Sequence, residues 1–398
     1  MSRRTTLPAQ SFGCEAAARR LVFELLKLPG VSGHEAAVMD YIVRKLRSLG
    51  AQGLQFDQAH RRTPIRGEVG NLSLTLPGTR PGPRRMLMAH VDTVPLCANV
   101  RPRQRGLQII PADKHTALGA DDRAGTAVIL WTAMEILRRG LPHPPLTFFW
   151  TVQEEVGLYG ARHANLGLLK KPRLAFNFDG GSPHKITIGA TGGYRMTIRV
   201  CGLASHAGNA PEKGVSALTI AALAIARLQQ EGWHGRIEKD GAQGTSNVGV
   251  ICGGEATNVV MPHLEIRAEA RSHDPAFRAR IVRAIEQAFH KAANEVRSAT
   301  GARGRVHIKG QLDYEAFVLK SNDPCVQAAQ AAVRAAGGDP VLAISNGGLD
   351  ANWMTARGIH TVTLGCGQAN PHTSQEHLDL RAFWRSCQVA LQLAETDG

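Results

Sequence analysis

Eight residues of this chain carry side chains fit for acid, base or metal chemistry, in short motifs far apart in sequence. They are His90 and Asp92 (MAHVDTVP), Asp121 and Asp122 (GADDRAG), Glu154 and Glu155 (FFWTVQEEVG), Asp179 (NFDGG) and His372 (NPHTSQEH). Taken singly, each has an ordinary explanation: an aspartate before a helix is a common N-cap, and a lone histidine is usually a satisfied polar residue. Together they resist that explanation. Carboxylates that converge on one sheet edge repel each other and rise in pKa unless cations sit among them. Imidazoles and carboxylates without thiolates form a ligand set suited to Zn²⁺, and also to Mn²⁺ or Co²⁺. A carboxylate shared by two ions roughly 3.5–4 Å apart makes an arrangement that polarises a carbonyl and supplies hydroxide. Neighbouring residues at a strand exit point in different directions, so one of the two glutamates can hold metal while the other moves protons.

The elements that must position these groups follow from periodicity. Helical spacing marks residues 15–28, 35–49, 123–139, 322–336, 350–357 and 378–395. Ser32 and Glu35 open the second helix in a capping-box pattern. Strands are predicted at NLSLTLP, MLMAHV, LTFFWTV, RLAFNFD, VLAIS and HTVTLG; MLMAHV, LTFFWTV and RLAFNFD end at or beside candidate residues. Apolar strands alternating with helices imply a largely parallel sheet covered on both faces, with ligands at the strand ends. Between them the texture changes. Residues 186–193, 194–202, 245–254 and 259–270 alternate as strands, with helices near 215–230 and 275–298. This is strand-helix-strand-strand-helix-strand order, a ferredoxin-like α+β unit. The expected organisation is one α/β domain, residues 1–190 and 310–398, with residues 191–309 inserted.

Composition narrows the class. A chain of 398 residues with 43% hydrophobic and 20% charged residues is globular and long enough for two domains. Its apolar runs are too short to span a bilayer. The twin arginine near the start is followed by Glu15, Arg19 and Arg20 and by no apolar core, so a cytoplasmic protein is expected. Seven scattered cysteines without a C-x-x-C pair argue for reduced buried thiols. The net charge of +14, with clusters RPGPRR and RPRQR, suggests an anionic partner or simply an arginine-rich surface. No nucleic-acid-binding motif accompanies it, so nucleic-acid binding is not expected.

The ordered set H-x-D, A-D-D-x-A-G, E-E-V-G, D-G-G and a late H-T-x-x-E resembles the dinuclear zinc metallopeptidases of the peptidase T, carboxypeptidase G and aminoacylase type. GADDRAG, GLASHAGNAPEKG and GGLDAN are most similar to the peptidase T-like branch. The resemblance implies a phosphorylase/hydrolase-like α/β catalytic domain with a mixed, mostly parallel sheet, and an inserted lid and dimerisation domain. It implies two Zn²⁺ per subunit, one held by His90, Asp121 and Asp179, the other by Asp121, Glu155 and His372, with Asp121 bridging. Asp92 would orient His90, and Glu154 would be the general base acting on a metal-bridging water. His206 would reach the partner subunit's site in a homodimer and steady the oxyanion; Asn258 and Arg271 would bind the substrate's carbonyl and carboxylate ends. Gly347, Gly348 and Asp350 match a glycine-rich turn near the site, and the Asp121–Asp122 peptide is expected to be cis. Two positions depart from the pattern: Gln153 replaces an acidic residue, and Leu349 stands where other branches carry Ser or Thr.

Three activities are compatible with these residues. Hydrolysis of short peptides, as by a di- or tripeptide aminopeptidase, is favoured. An N-acyl amino acid amidohydrolase would share the ligands and differ in the pocket walls. A non-catalytic basic binding protein on the same fold would have no need to retain a full set of ligands and a base.

Overall fold

The computed structural model describes residues 9–395, so the twin arginine lies outside the described residues. The chain forms two compact units. The first comprises residues up to Gly189, then Val318–Ser345 and from Leu349 onward; the second comprises Ala190–Phe317 and Asn346–Gly348.

The large sheet of the first unit runs in the order Leu54–Phe56, Leu72–Leu76, Leu146–Thr151, Arg85–His90, Leu174–Phe178, Thr361–Leu364 and Lys185–Ala190. It is mixed. Arg85–His90 lies parallel to Leu146–Thr151 and Leu174–Phe178, and Thr361–Leu364 continues the parallel core. The flanking pairs are antiparallel, which corrects the expectation of a mostly parallel sheet. Connection length explains the difference. The helix Ala120–Arg139 gives Arg85–His90 a crossover to Leu146–Thr151. The turn between Leu174–Phe178 and Lys185–Ala190 is too short for one, so the chain reverses. The central strands Arg85–His90, Leu146–Thr151 and Leu174–Phe178 are buried along their whole length, as their apolar runs require. Because they are parallel, their C-terminal ends share one edge, and His90 sits directly beside Thr151.

A small sheet that periodicity did not reveal contains Pro102–Arg105, Gln108–Pro111, Gln368–Ala369 and His377–Asp379. It puts the RPRQR cluster on an exposed edge strand, where charge deters strand-to-strand association. Of the RPGPRR cluster, Arg84 donates to the Leu146 carbonyl and the fully buried Arg85 to that of Leu393. Those arginines serve the fold.

The second unit is an antiparallel sheet in the order Gly235–Lys239, Ala242–Gly253, His263–Ser272, Gly192–Cys201 and Arg305–Tyr314. Helices Ala217–Gln230 and Pro275–Glu295 supply Ile220, Phe277, Ile281 and Phe289 to a core shared with Ile198, Val200 and Ile266. Ser216 and Asp274 cap their N-termini by accepting backbone N–H groups. The fourth strand of the ferredoxin-like order is Arg305–Tyr314, which lies outside the strands predicted for this unit. Segment 186–193 is correspondingly reassigned, because its strand Lys185–Ala190 pairs with Thr361–Leu364 in the large sheet.

Gly125 of the GADDRAG motif shows how closely the long helix approaches the sheet. A Cβ there would lie 1.9 Å from the Phe178 carbonyl oxygen and 2.5 Å from Asp122 Oδ1. Gly125→Ala therefore destabilises by overpacking, by about 1–3 kcal/mol, and a lower chemical-denaturation midpoint in the variant is the measurement that checks it.

Candidate active site

The eight residues arrive from five backbone segments. His90 closes its strand, and Asp92 follows two positions later. Asp179 is the first residue past Leu174–Phe178. Asp121 and Asp122 open the long helix with non-helical backbone, joined by a cis peptide bond. Glu154 and Glu155 follow Gln153, which has a φ of 55°, and His372 itself has a φ of 62°. Left-handed backbone at non-glycine residues is unfavourable and concentrates at functional sites.

These segments bring together every residue proposed to ligate metal. His90 Nε2 lies 3.1 Å from Asp121 Oδ1 and 3.9 Å from Asp179 Oδ1. On the other side, His372 Nε2 lies 3.3 Å from Asp121 Oδ2 and 2.9 Å from Glu155 Oε2. The two oxygens of Asp121 thus face two different imidazoles, one deeply buried and one half exposed. His90 Nδ1 lies 3.1 Å from the Asp92 carbonyl oxygen and 3.3 Å from its Oδ1. Both are acceptors, so Nδ1 donates to Asp92, and Nε2 is the nitrogen that faces the Asp121 and Asp179 carboxylates.

Three carboxylates hold the backbone of the site. Asp92 accepts the N–H groups of Glu154 (2.9 Å) and Glu155 (3.2 Å) and the Ser32 hydroxyl (2.6 Å). Asp122 accepts from the N–H groups of His90 and Gly125, and it also faces the Cys366 thiol. Glu376 accepts from the N–H groups of Leu118, Gly119 and Asp121 at 2.9, 2.8 and 3.0 Å. Sequence reasoning missed the role of Glu376, although it closes the H-T-x-x-E motif. It also misread Ser32 and Glu35: no side chain caps the second helix, which starts at Ala36. Asp350 is buried too, and its Oδ2 accepts the Thr151 hydroxyl.

Electrostatics at this edge are those of anions out of water. Burial raises the pKa of Glu154 well above the carboxylate range, and the charges of Asp179 and Glu155 raise it further. Burial, then Asp121, pushes Asp179 up to about 8. Burial also raises Glu155 and Asp122. Asp121 is the exception: burial acts upward, but hydrogen bonds to His372 and His90 hold it low. Hydrogen bonds to Asp121 and Glu155 raise His372 to about 10. A divalent cation fits such a site. Ligand atoms of His90, Asp121 and Glu155 lie within 4.8 Å of one another, as do those of His90, Asp122 and Asp179. In the second group the carboxylate of Asp122 is already committed to backbone N–H groups.

The remaining sequence candidates lie in the second unit. His206 Nδ1 accepts the N–H groups of Gly208 and Asn209, so its proton sits on Nε2 as a donor. Asn258 adjoins it, its carbonyl accepting the Ala207 N–H. Arg271 pairs with Glu269 through Nε and Nη2, both at 2.9 Å, so one edge of its fork is occupied. The missing side chain of Gly348 admits the Tyr314 ring, where a Cβ would come within 2.4 Å.

Acids and His90 at the parallel strand ends, with His372 brought beside them, form an arrangement suited to metal-assisted hydrolysis. Residues 86–396 match the model of peptidase family M20/M25/M40, and the chain belongs to that family. It is 30% identical over 374 residues to the uncharacterised protein YqjE of Bacillus subtilis, covering 94% of this chain and 96% of the relative. It is 26% identical to peptidase T of Shigella boydii over 372 residues, 82% of this chain and 86% of the relative. A crystal structure of a tripeptidase from Staphylococcus aureus superposes with a TM-score of 0.85 at 30% identity, covering 96% of this chain and 98% of that one. The chain is a peptidase T-like member of the family and an enzyme.

Glu376→Ala leaves three backbone N–H groups without their acceptor. Each such loss costs about 1–3 kcal/mol, so urea unfolding of the variant should show a stability loss of at least ~2 kcal/mol.

Proposed function

We propose that the chain is a zinc-dependent aminopeptidase of short peptides, in particular di- and tripeptides. The observation that carries this reading is Asp121, whose two carboxylate oxygens face His90 and His372 on opposite sides. His90, Asp121 and Asp179 would hold one Zn²⁺, and Asp121, Glu155 and His372 the other; Mn²⁺ or Co²⁺ would suit the same donors. Bound there, such ions polarise the scissile carbonyl and acidify water.

The chain's own groups do the rest. Glu154 takes a proton from the attacking water onto a carboxylate oxygen and returns it to the leaving amine nitrogen. Its burial and its acidic neighbours raise its proton affinity, which suits both halves of that cycle. Asp92 positions His90 and both glutamates without touching substrate. His206 offers its Nε2–H to the carbonyl oxygen as negative charge develops there, from the partner subunit of a homodimer. The second unit supports such pairing: Val250 and Ile251, on its long strand Ala242–Gly253, are 37% and 49% exposed. Arg271 uses the free edge of its fork for the substrate carboxylate and Asn258 binds the substrate carbonyl, while Gly348 belongs to the turn that borders the substrate. The enzyme acts in the cytoplasm, consistent with seven cysteines that are all free and with described helices too short or too polar to cross a membrane.

Glu154→Gln should retain two ions per chain by elemental analysis while kcat on a tripeptide falls by at least ~10²–10⁴. Chelator should abolish release of free amino acids, and zinc should restore it. Equal rates with and without chelator would refute the metal requirement. Turnover confined to N-acetyl amino acids would replace the peptidase reading with an amidohydrolase.

A further inference from the structure

Glu154 and Glu155 are useful as a pair only if their carboxylates leave adjacent residues for different tasks. The backbone that separates them is held from an unexpected direction. Gln153 sits at a φ of 55°, and its buried amide side chain makes no hydrogen bond, so that side chain does not stabilise the conformation. Its own N–H does: it donates to Glu35 Oε1 at 3.2 Å, which also accepts the Gly33 N–H at 2.7 Å. The next two N–H groups, of Glu154 and Glu155, donate to Asp92. Asp92 is in turn tied by the Ser32 hydroxyl at 2.6 Å, and Ser32 N–H donates to the Thr93 carbonyl. Three consecutive N–H groups, 153 to 155, are therefore held by two fully buried carboxylates, and the segment 32–35 supplies one of them and anchors the other.

We propose that Ser32 and Glu35 are positioning residues for catalysis: the loop before the second helix braces the 153–155 backbone so that Glu154 and Glu155 point to separate tasks. The proposal rests on the reading of Glu154 as the proton carrier. Hydrogen bonds to buried carboxylates are strong: removing Glu35 leaves the Gly33 and Gln153 N–H groups without their acceptor, and removing the Ser32 hydroxyl takes a donor from Asp92. Small displacements of a reacting group are expensive in rate, with ~1 Å worth up to about 10²-fold.

The test uses the full-length, zinc-loaded protein. Ser32→Ala and Glu35→Ala are each expected to lower kcat about 10- to 100-fold with KM within about two-fold, at unchanged zinc content. Ser32→Thr and Glu35→Gln keep an acceptor or donor in place and should recover most of that loss. A second readout avoids activity altogether. In chelator-treated protein, amide hydrogen exchange at residues 153–155 should quicken at least about tenfold in the alanine variants, and not in the helix Ala120–Arg139. Unchanged exchange at 153–155, or a kcat within two-fold of the parent, overturns the proposal. Wild-type turnover by Glu154→Gln would instead overturn the role assigned to Glu154, and the exchange result would still decide whether the brace exists.

Discussion

The structure depends on keeping a group of carboxylates together where water cannot reach them. Asp92, Asp122, Glu154 and Asp179 are all buried at one edge of the sheet, with Asp121 and Glu155 beside them. Lost hydration, and then mutual repulsion, raise the proton affinity of several of them. Positive charge must offset that burden. The chain supplies part of it through His90, His372 and the buried guanidinium of Arg123, which burial lowers to about 10 without discharging it. Divalent cations would offset the remainder, which ties the proposed metal chemistry to an electrostatic need of the fold itself.

A second consequence is that backbone amides do much of the organising. Asp92, Asp122, Glu35 and Glu376 accept from main-chain N–H groups of the segments that carry the reactive side chains. Each such bond satisfies a carboxylate and fixes a loop at once. The left-handed residues Gln153 and His372 persist because the surroundings over-determine them. A site built this way fixes its acids through the backbone, while His372 remains half exposed.

The basic character of the chain proves less informative about partners than its magnitude suggests. Arg84, Arg85 and Arg357 donate to backbone carbonyls, and Arg278 pairs with Glu315 through both ends of its fork. Arg103 and Arg105 occupy an exposed edge strand.

The sequence by itself determined which residue types stand at the strand exits, the helices and central strands, and the motif set that resembles the family, because these are local patterns with a period or a fixed spacing. It also implied the pairing of His90 with Asp121 and of Glu155 with His372, through resemblance and not through periodicity. Tertiary structure alone decided what Ser32, Glu35, Asp122 and Glu376 do. Glu376 meets Leu118 across 258 residues, and Ser32 meets Asp92 across 60. A hydrogen bond between such distant groups leaves no mark in local spacing, so S-x-x-E read as a helix cap until the backbone of residues 153–155 came within reach of it. Sheet direction was decided in the same way, by how much chain was available between strands to cross over or turn back.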